Sequence, residues 1–484
     1  MNGIVIARLL GGFVAASKPL AVVARIAAIS LGALLATAPG VHAQLGPQSL
    51  VSGLNVANMD PSTPASADFY KHANGTWLDK VPIPPDRSRW GVDEIMAEEN
   101  ILKLRALLEE AVNASDPDAK KAGELYASFM DEARINSRGA KPLRPALARV
   151  ASIQSIEGLG REMGELAQAQ VLLPLTTFIN ADDKQSTRYA VYFTQSGLGL
   201  PDRDYYLTDN DKFVSVRTAY RKHIATMLAL LGEKNPQAVA ERVMMLETEI
   251  ARMQWTKVDA RDAVKSYNPR TPAALAAASQ GLFGSAYIRA VGLADDTPLI
   301  VRQPSYVDAL GTLASSVPLS TWKEYLRWRL VTAYAPYLSD PVVQEDFAFK
   351  GKVLAGQTEL EMRWKRGVVL VDSQIGEASG KLYVARYFPP QTKARVEAMI
   401  GNLIKAYGKS IDQLEWMGEE AKREAHAKLD KLHVKIGYPD RWRDYSALRI
   451  DRIDLVGNVQ RASRFEWRRR SAKLGGPIDR DECG

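Results

Sequence analysis

The chain has 484 residues, of which 46% are apolar and 25% charged, with a formal net charge of +7. A single hydrophobic core stops growing near roughly 250–300 residues, so two domains or a long helical array are expected, and the composition excludes wholesale disorder and a polytopic membrane protein. The positive excess is small and dispersed, which gives no ground for a nucleic-acid partner.

Residues 1–43 contain Arg8, Lys18 and Arg25 but no acid, then the apolar run Ile26–Ala38, then VHA before Gln44. A basic region, a short apolar region and a small-x-small site predict an export signal cut after Ala43. The apolar run falls short of the ~20 residues that span a bilayer, so an uncleaved anchor is the lesser alternative. The only cysteine is Cys483, so no internal disulfide is possible. For an exported chain of this size that favours a bacterial periplasm or exterior.

Residues 44–67 are rich in Ser, Pro and Gly without periodicity and predict a flexible linker, with folding starting near Asp68. Ile101, Leu104, Leu107, Leu108 and Val112 recur at helical spacing, as do Val239, Val243, Leu246, Ile250 and Met253 behind Pro236. The longest stripe, Val396, Met399, Ile400, Leu403, Ile404 and Tyr407, predicts an amphipathic helix after Pro389 and Pro390. Strand signal concentrates in Leu173–Asn180 and Arg188–Ser196, a hairpin of two half-buried strands. The expected fold is mainly α with this small hairpin.

A hydrolytic zinc site needs ligands that converge on one ion with a position left for water. His42 leaves with the signal, and His72, His223, His426 and His433 contain no pair at i, i+4. Were His426 and His433 on one helix, seven residues would place them about 10.5 Å apart along its axis, so both are read as helix-surface groups and His223 as a half-buried neighbour of Ile224 and Met227. The stretch GLGLPDRDYYL (Gly197–Leu207) lacks the third glycine and the strand–loop–helix pattern of a phosphate loop and is read as a turn. The pairs Glu98–Glu99 and Glu419–Glu420 are read as solvated helix faces, and no Gly-x-Ser-x-Gly elbow is present. On residue chemistry alone no catalytic site is visible.

Six blocks carry a family resemblance: DFYKHANGTWLDKVPIPPDRSRWG (Asp68–Gly91), GLGLPDRDYYL, GKLYVARYFPPQTKARVEAMI (Gly380–Ile400), LEWMGEEAKREAHAKL (Leu414–Leu429), KIGYPDRWRDYSALRI (Lys435–Ile450) and NVQRASRFEWRR (Asn458–Arg469). In this order they resemble the neprilysin and endothelin-converting-enzyme family of zinc metalloendopeptidases. The resemblance implies a multi-helix lid domain over residues 68–450, a connection over 451–484, and one zinc ion held by two His and a Glu in a thermolysin-like catalytic domain. In the family a segment like KLGGPIDRDECG (Lys473–Gly484) precedes a substrate-pairing strand, the His-Glu-x-x-His helix and a further Glu. The expectation is therefore the amino-terminal portion of an exported, oligopeptide-cleaving enzyme, inactive by itself and without a metal site of its own. The alternative is a catalytically dead peptide-binding or helical scaffold module.

The resemblance also implies a substrate-binding residue. An Arg in the opening block pairs with the substrate's carboxyl end, a task suited to a planar, permanently charged donor. Arg89 occupies the matching position. The spacing from Gly91 to Asp93 is one residue shorter than the family pattern, so Arg87 is a rival.

Overall fold

In the computed structural model, residues 54–482 are described; the expected signal peptide, residues 44–53 of the expected linker and Cys483 lie outside them. The helix α1 (Phe69–Lys80) starts where the Asp68 carboxylate accepts from the Lys71 amide at 2.9 Å, satisfying one of the donors that a helix start leaves open. Residues 54–67 are not the loose linker expected. They carry a turn of 3₁₀ helix at Val56–Asn58 and bond to α1 through Asp60 N to His72 O (2.8 Å) and Thr76 Oγ1 to Met59 O (2.6 Å). Gly75 permits this approach, because a Cβ there would stand 2.6 Å from that of Asp60.

The helices α2 (Val92–Ala111) and α3 (Pro117–Met130) pack with α7 (Arg363–Tyr387), after a central body built from α4 (Asp211–Leu230), α5 (Pro236–Met253) and α6 (Leu319–Tyr334). Toward the end of the described residues come α8 (Pro390–Asp412), α9 (Glu419–Asp430) and α10 (Leu455–Ser471). The periodic stripes in α2 and α5 end as buried Leu107, Leu108, Val243 and Ile250. The stripe in α8 forms its helix too, but none of its residues is buried.

The hairpin is present as β1 (Leu175–Ala181) and β2 (Tyr189–Gln195), antiparallel with Leu175 opposite Gln195 and Ala181 opposite Tyr189. Two further strands extend it. β3 (Pro269–Arg270) and β4 (Leu299–Val301) complete a mixed sheet in the order β1-β2-β4-β3, with β4 parallel to β2. Strands of two and three residues are too short to show alternation, which is why sequence periodicity omits them.

The GLGLPDRDYYL stretch is the central knot of the molecule. A strand does precede it and the stretch itself ends in the short helix Asp204–Leu207, yet the loop is filled rather than open to an anion. The Gly199 and Leu200 amides donate to the Tyr206 hydroxyl at 3.0 and 2.9 Å, and Tyr206 donates to Glu247 at 2.6 Å. Glu247, on α5 and fully buried, also accepts from the Tyr220 hydroxyl and the Gly199 amide. Arg329 on α6 stands 3.7 Å away and donates through Nε to Leu172 O. Burial pushes the Glu247 carboxyl upward, while Arg329 and the converging donors favour its charged form. His223 lies beside this knot and is buried, not half-buried as expected. Its ring stacks on Phe349 and its Nδ1 lies 3.0 Å from Glu345.

A Cβ on Gly199 would stand 1.7 Å from the Tyr220 hydroxyl oxygen. Gly199→Ala is expected to cost at least about 2 kcal/mol, since overpacking here displaces a buried hydrogen-bonded phenol. Gly401→Ala in α8 meets open space and is expected to gain about 0.5–1 kcal/mol from helix propensity. Denaturant unfolding of both variants checks this; equal effects would refute the packing account.

Candidate substrate-binding segment

Between α1 and α2 runs the loop VPIPPDRSRWG (Val81–Gly91). Its prolines limit the backbone to extended and turn conformations, and three partners far along the chain pin it. The Thr358 and Glu359 amides each donate to Pro85 O at 3.1 Å, and Gln357 Nε2 donates to Asp86 O at 3.1 Å. The loop is therefore fixed against the segment that leads into α7, and α2 begins immediately after Gly91.

The two candidate arginines, two residues apart, meet different surroundings. Arg87 bridges Glu98 on α2 at 2.7 Å and Glu361 at 2.8 Å, with the arginine side chain 24% exposed. Lys365 on α7 joins the same group through Glu98 and lies 3.5 Å from Asp86. Partial burial works against the Arg87 charge, but Glu361 and Glu98 outweigh it and hold the guanidinium above its usual value. Burial raises the Glu361 carboxyl despite Arg87 and Lys365 beside it. Glu98 is thus not the solvated face expected of it, whereas Glu99 is exposed.

Arg89 is 43% exposed and pairs with a single carboxylate, that of Glu94 in the first turn of α2. Chemically the contrast decides what each can do. Releasing Arg87 to a ligand would strand two partly buried carboxylates; releasing Arg89 frees one carboxylate at a helix start, where its charge is favoured. Sequence reasoning named both arginines but missed Glu361 and Lys365, whose contacts with the loop span more than 250 residues and leave no local pattern.

The histidines do not gather. His72 bonds Thr63 O, His426 Nε2 lies 2.7 Å from Asp412 and His433 Nε2 lies 3.5 Å from Asp481. His433 is beyond the end of α9 at Asp430, so it is not the helix-surface group expected. Among the described residues no set of three His, Cys, Asp or Glu side chains is placed to hold a metal ion.

Residues 65–439 match the model of Peptidase family M13, and the chain belongs to that family. Among solved structures it is similar to the Mycobacterium tuberculosis zinc metalloprotease Zmp1 in complex with inhibitor, with a TM-score of 0.84 and 41% identity, covering 89% of this chain and 66% of that one. The likeness to PepO from Lactobacillus rhamnosis (TM-score 0.78, 24% identity, 87% of this chain and 68% of that one) supports the fold alone. Human endothelin-converting enzyme 1 is 27% identical over 454 residues, which are 88% of this chain and 58% of that protein. The chain spans under two thirds of the length of the curated relatives it matches, 58% of human endothelin-converting enzyme 1 among them.

Arg87→Ala is expected to destabilise the fold by about 1–3 kcal/mol, because two half-buried carboxylates lose their shared cation. Arg89→Ala should stay within about 0.5 kcal/mol of the parent, as is usual for an exposed pair. Thermal and denaturant melts of the two variants check the ordering, and the reverse ordering would overturn the division of roles.

Proposed function

We propose that the chain is the amino-terminal, helical portion of an exported zinc endopeptidase acting on oligopeptides. Residues 68–450 form the lid that encloses the substrate cleft, and 451–484 lead toward the catalytic region. Family membership supports the reaction class. The name of the zinc metalloprotease Zmp1 supports zinc-dependent proteolysis in a relative that shares this region.

The observation that carries the residue assignment is the setting of Arg89: half-exposed, held by one exchangeable partner and mounted on a loop fixed to α7. Such a guanidinium exchanges Glu94 for the terminal carboxylate of a peptide and orients it by two parallel hydrogen bonds. Arg87 positions the loop. When bound in the family's enzymes, zinc polarises the scissile carbonyl and activates water. The described side chains offer no donor set that fits it, so the part of the reaction assigned to this chain is substrate capture and orientation.

In a longer enzyme carrying both this chain and a zinc site, Arg89→Ala should raise KM for peptides with a free carboxyl terminus by about tenfold or more, equivalent to one lost charge-assisted contact. The same peptides amidated at that end should change little. Equal losses on both substrates would remove Arg89 from the carboxylate site. Export rests on residues 1–43. Mass spectrometry of the secreted or periplasmic fraction is expected to find Gln44 at the amino terminus, and intact chain confined to the cytosol would refute it.

A further inference from the structure

A cleft of about 360 Å³ opens between the region following the helix Glu132–Arg138 and the first turns of α10. Arg138, Lys141, Arg461 and Arg464 line it, and among the described residues Asp454 is the only carboxylate in its wall. Asp454 is shared. Its two oxygens take Arg138 Nη1 at 3.3 Å and Arg461 Nη1 at 3.0 Å. Although it occupies the position before α10, its side chain makes no capping hydrogen bond there. Arg464 reaches Glu165, outside the wall, only at 4.0 Å. Among the described residues Lys141 is engaged in no ion pair. Four cations thus line one concavity with one carboxylate in its wall.

Cations gathered in a concave wall repel one another and focus a positive potential into the space between them. The side chains of Arg138, Arg461 and Arg464 keep 40%, 34% and 32% of their surface. Arg461 donates from Nε to Arg449 O, from Nη1 to Asp454 and from Nη2 to Asn458 Oδ1, and Arg138 Nη1 also donates to Ile453 O. Arg461 thus has one N–H left on each terminal nitrogen, and Arg464 is the least committed of the three. Guanidinium groups match phosphate oxygens in planar pairs, and a lysine adds a point charge. The volume is at the lower end of small-molecule sites and exceeds what a bare inorganic ion fills. None of these residues belongs to the segment that carries Arg89.

We propose that this cleft binds a small phosphate ester, either free in solution or as the headgroup of a phospholipid. The ester's phosphoryl oxygens sit between Arg461, Arg464 and Lys141, and Asp454 keeps Arg138 and Arg461 oriented without cancelling the field.

The test uses the 484-residue chain with sn-glycerol 3-phosphate in titration calorimetry, and co-flotation with vesicles of phosphatidylglycerol in phosphatidylcholine against phosphatidylcholine alone. Saturable, salt-sensitive binding of glycerol phosphate is expected, weakened at least about tenfold by Lys141→Ala with Arg464→Ala, in line with the loss of charge-assisted contacts. Melting of the unliganded double variant should match the parent. Should it melt early, Lys141→Ala alone, at an exposed side chain, gives the same readout in smaller measure. Glycerol phosphate binding without flotation identifies a soluble ester. Flotation that glycerol phosphate displaces identifies a lipid headgroup. No saturable binding of either probe, undiminished binding in the variants, or flotation that glycerol phosphate leaves untouched would overturn the proposal.

Discussion

The burial of one carboxylate organises this fold. Glu247 sits at the centre of a mostly aliphatic and aromatic core, and a carboxylate there costs several kcal/mol unless donors surround it. Each donor comes from a different part of the chain: Gly199 from the loop after β2, Tyr206 from the short helix beyond it, Tyr220 from α4, and the guanidinium of Arg329 from α6. Trp328 Nε1 in turn donates to the Tyr220 hydroxyl at 2.9 Å. Burial and the adjacent Glu247 push both phenols well above their usual value, so they act as fixed donors. Satisfying this single group sets the register of α4, α5 and α6 against the sheet.

The same accounting, applied nearer the surface, separates Arg87 from Arg89. Arg87 lies among two carboxylates and a lysine in a half-buried group that closes the loop onto α7, so its charge is already answered inside the protein. Arg89 has one partner and more water. Identical side chains two positions apart therefore meet different surroundings, and burial and the number of counter-charges are what support the positioning role proposed for Arg87 and the binding role proposed for Arg89.

Local pattern made part of this readable. Capped helix starts, the 3.6-residue stripes in α2 and α5 and the alternation in β1 and β2 all follow from spacing along the chain. The GLGLPDRDYYL stretch was legible as a turn and as a family mark, but its purpose was not, because Glu247, Tyr220 and Arg329 lie 20 to 130 positions further along. His223 misleads for a related reason: a histidine flanked by Ile224 and Met227 reads as amphipathic edge, and only the arrival of Phe349 and Glu345 makes it core. Glu98 misleads in the same sense, since its cationic partners come from the loop and from α7. The candidate site was legible to the level of two arginines, and the difference in their surroundings, on which the proposed choice between them rests, is visible only in the fold.

The helices α5 and α8 show where pattern reading stops. Both present an apolar stripe at helical spacing behind a proline, and both form the helix that the stripe predicts. In α5 the stripe is buried against α4 and α6, whereas in α8 Met399, Leu403 and Tyr407 remain more than half exposed, with α9 alongside. An amphipathic pattern specifies that a face gains from leaving water, at about 25 cal/mol per Å². It does not specify what covers that face. Burial belongs to the pair of surfaces, not to the helix, and for α8 the described residues supply only one of the two.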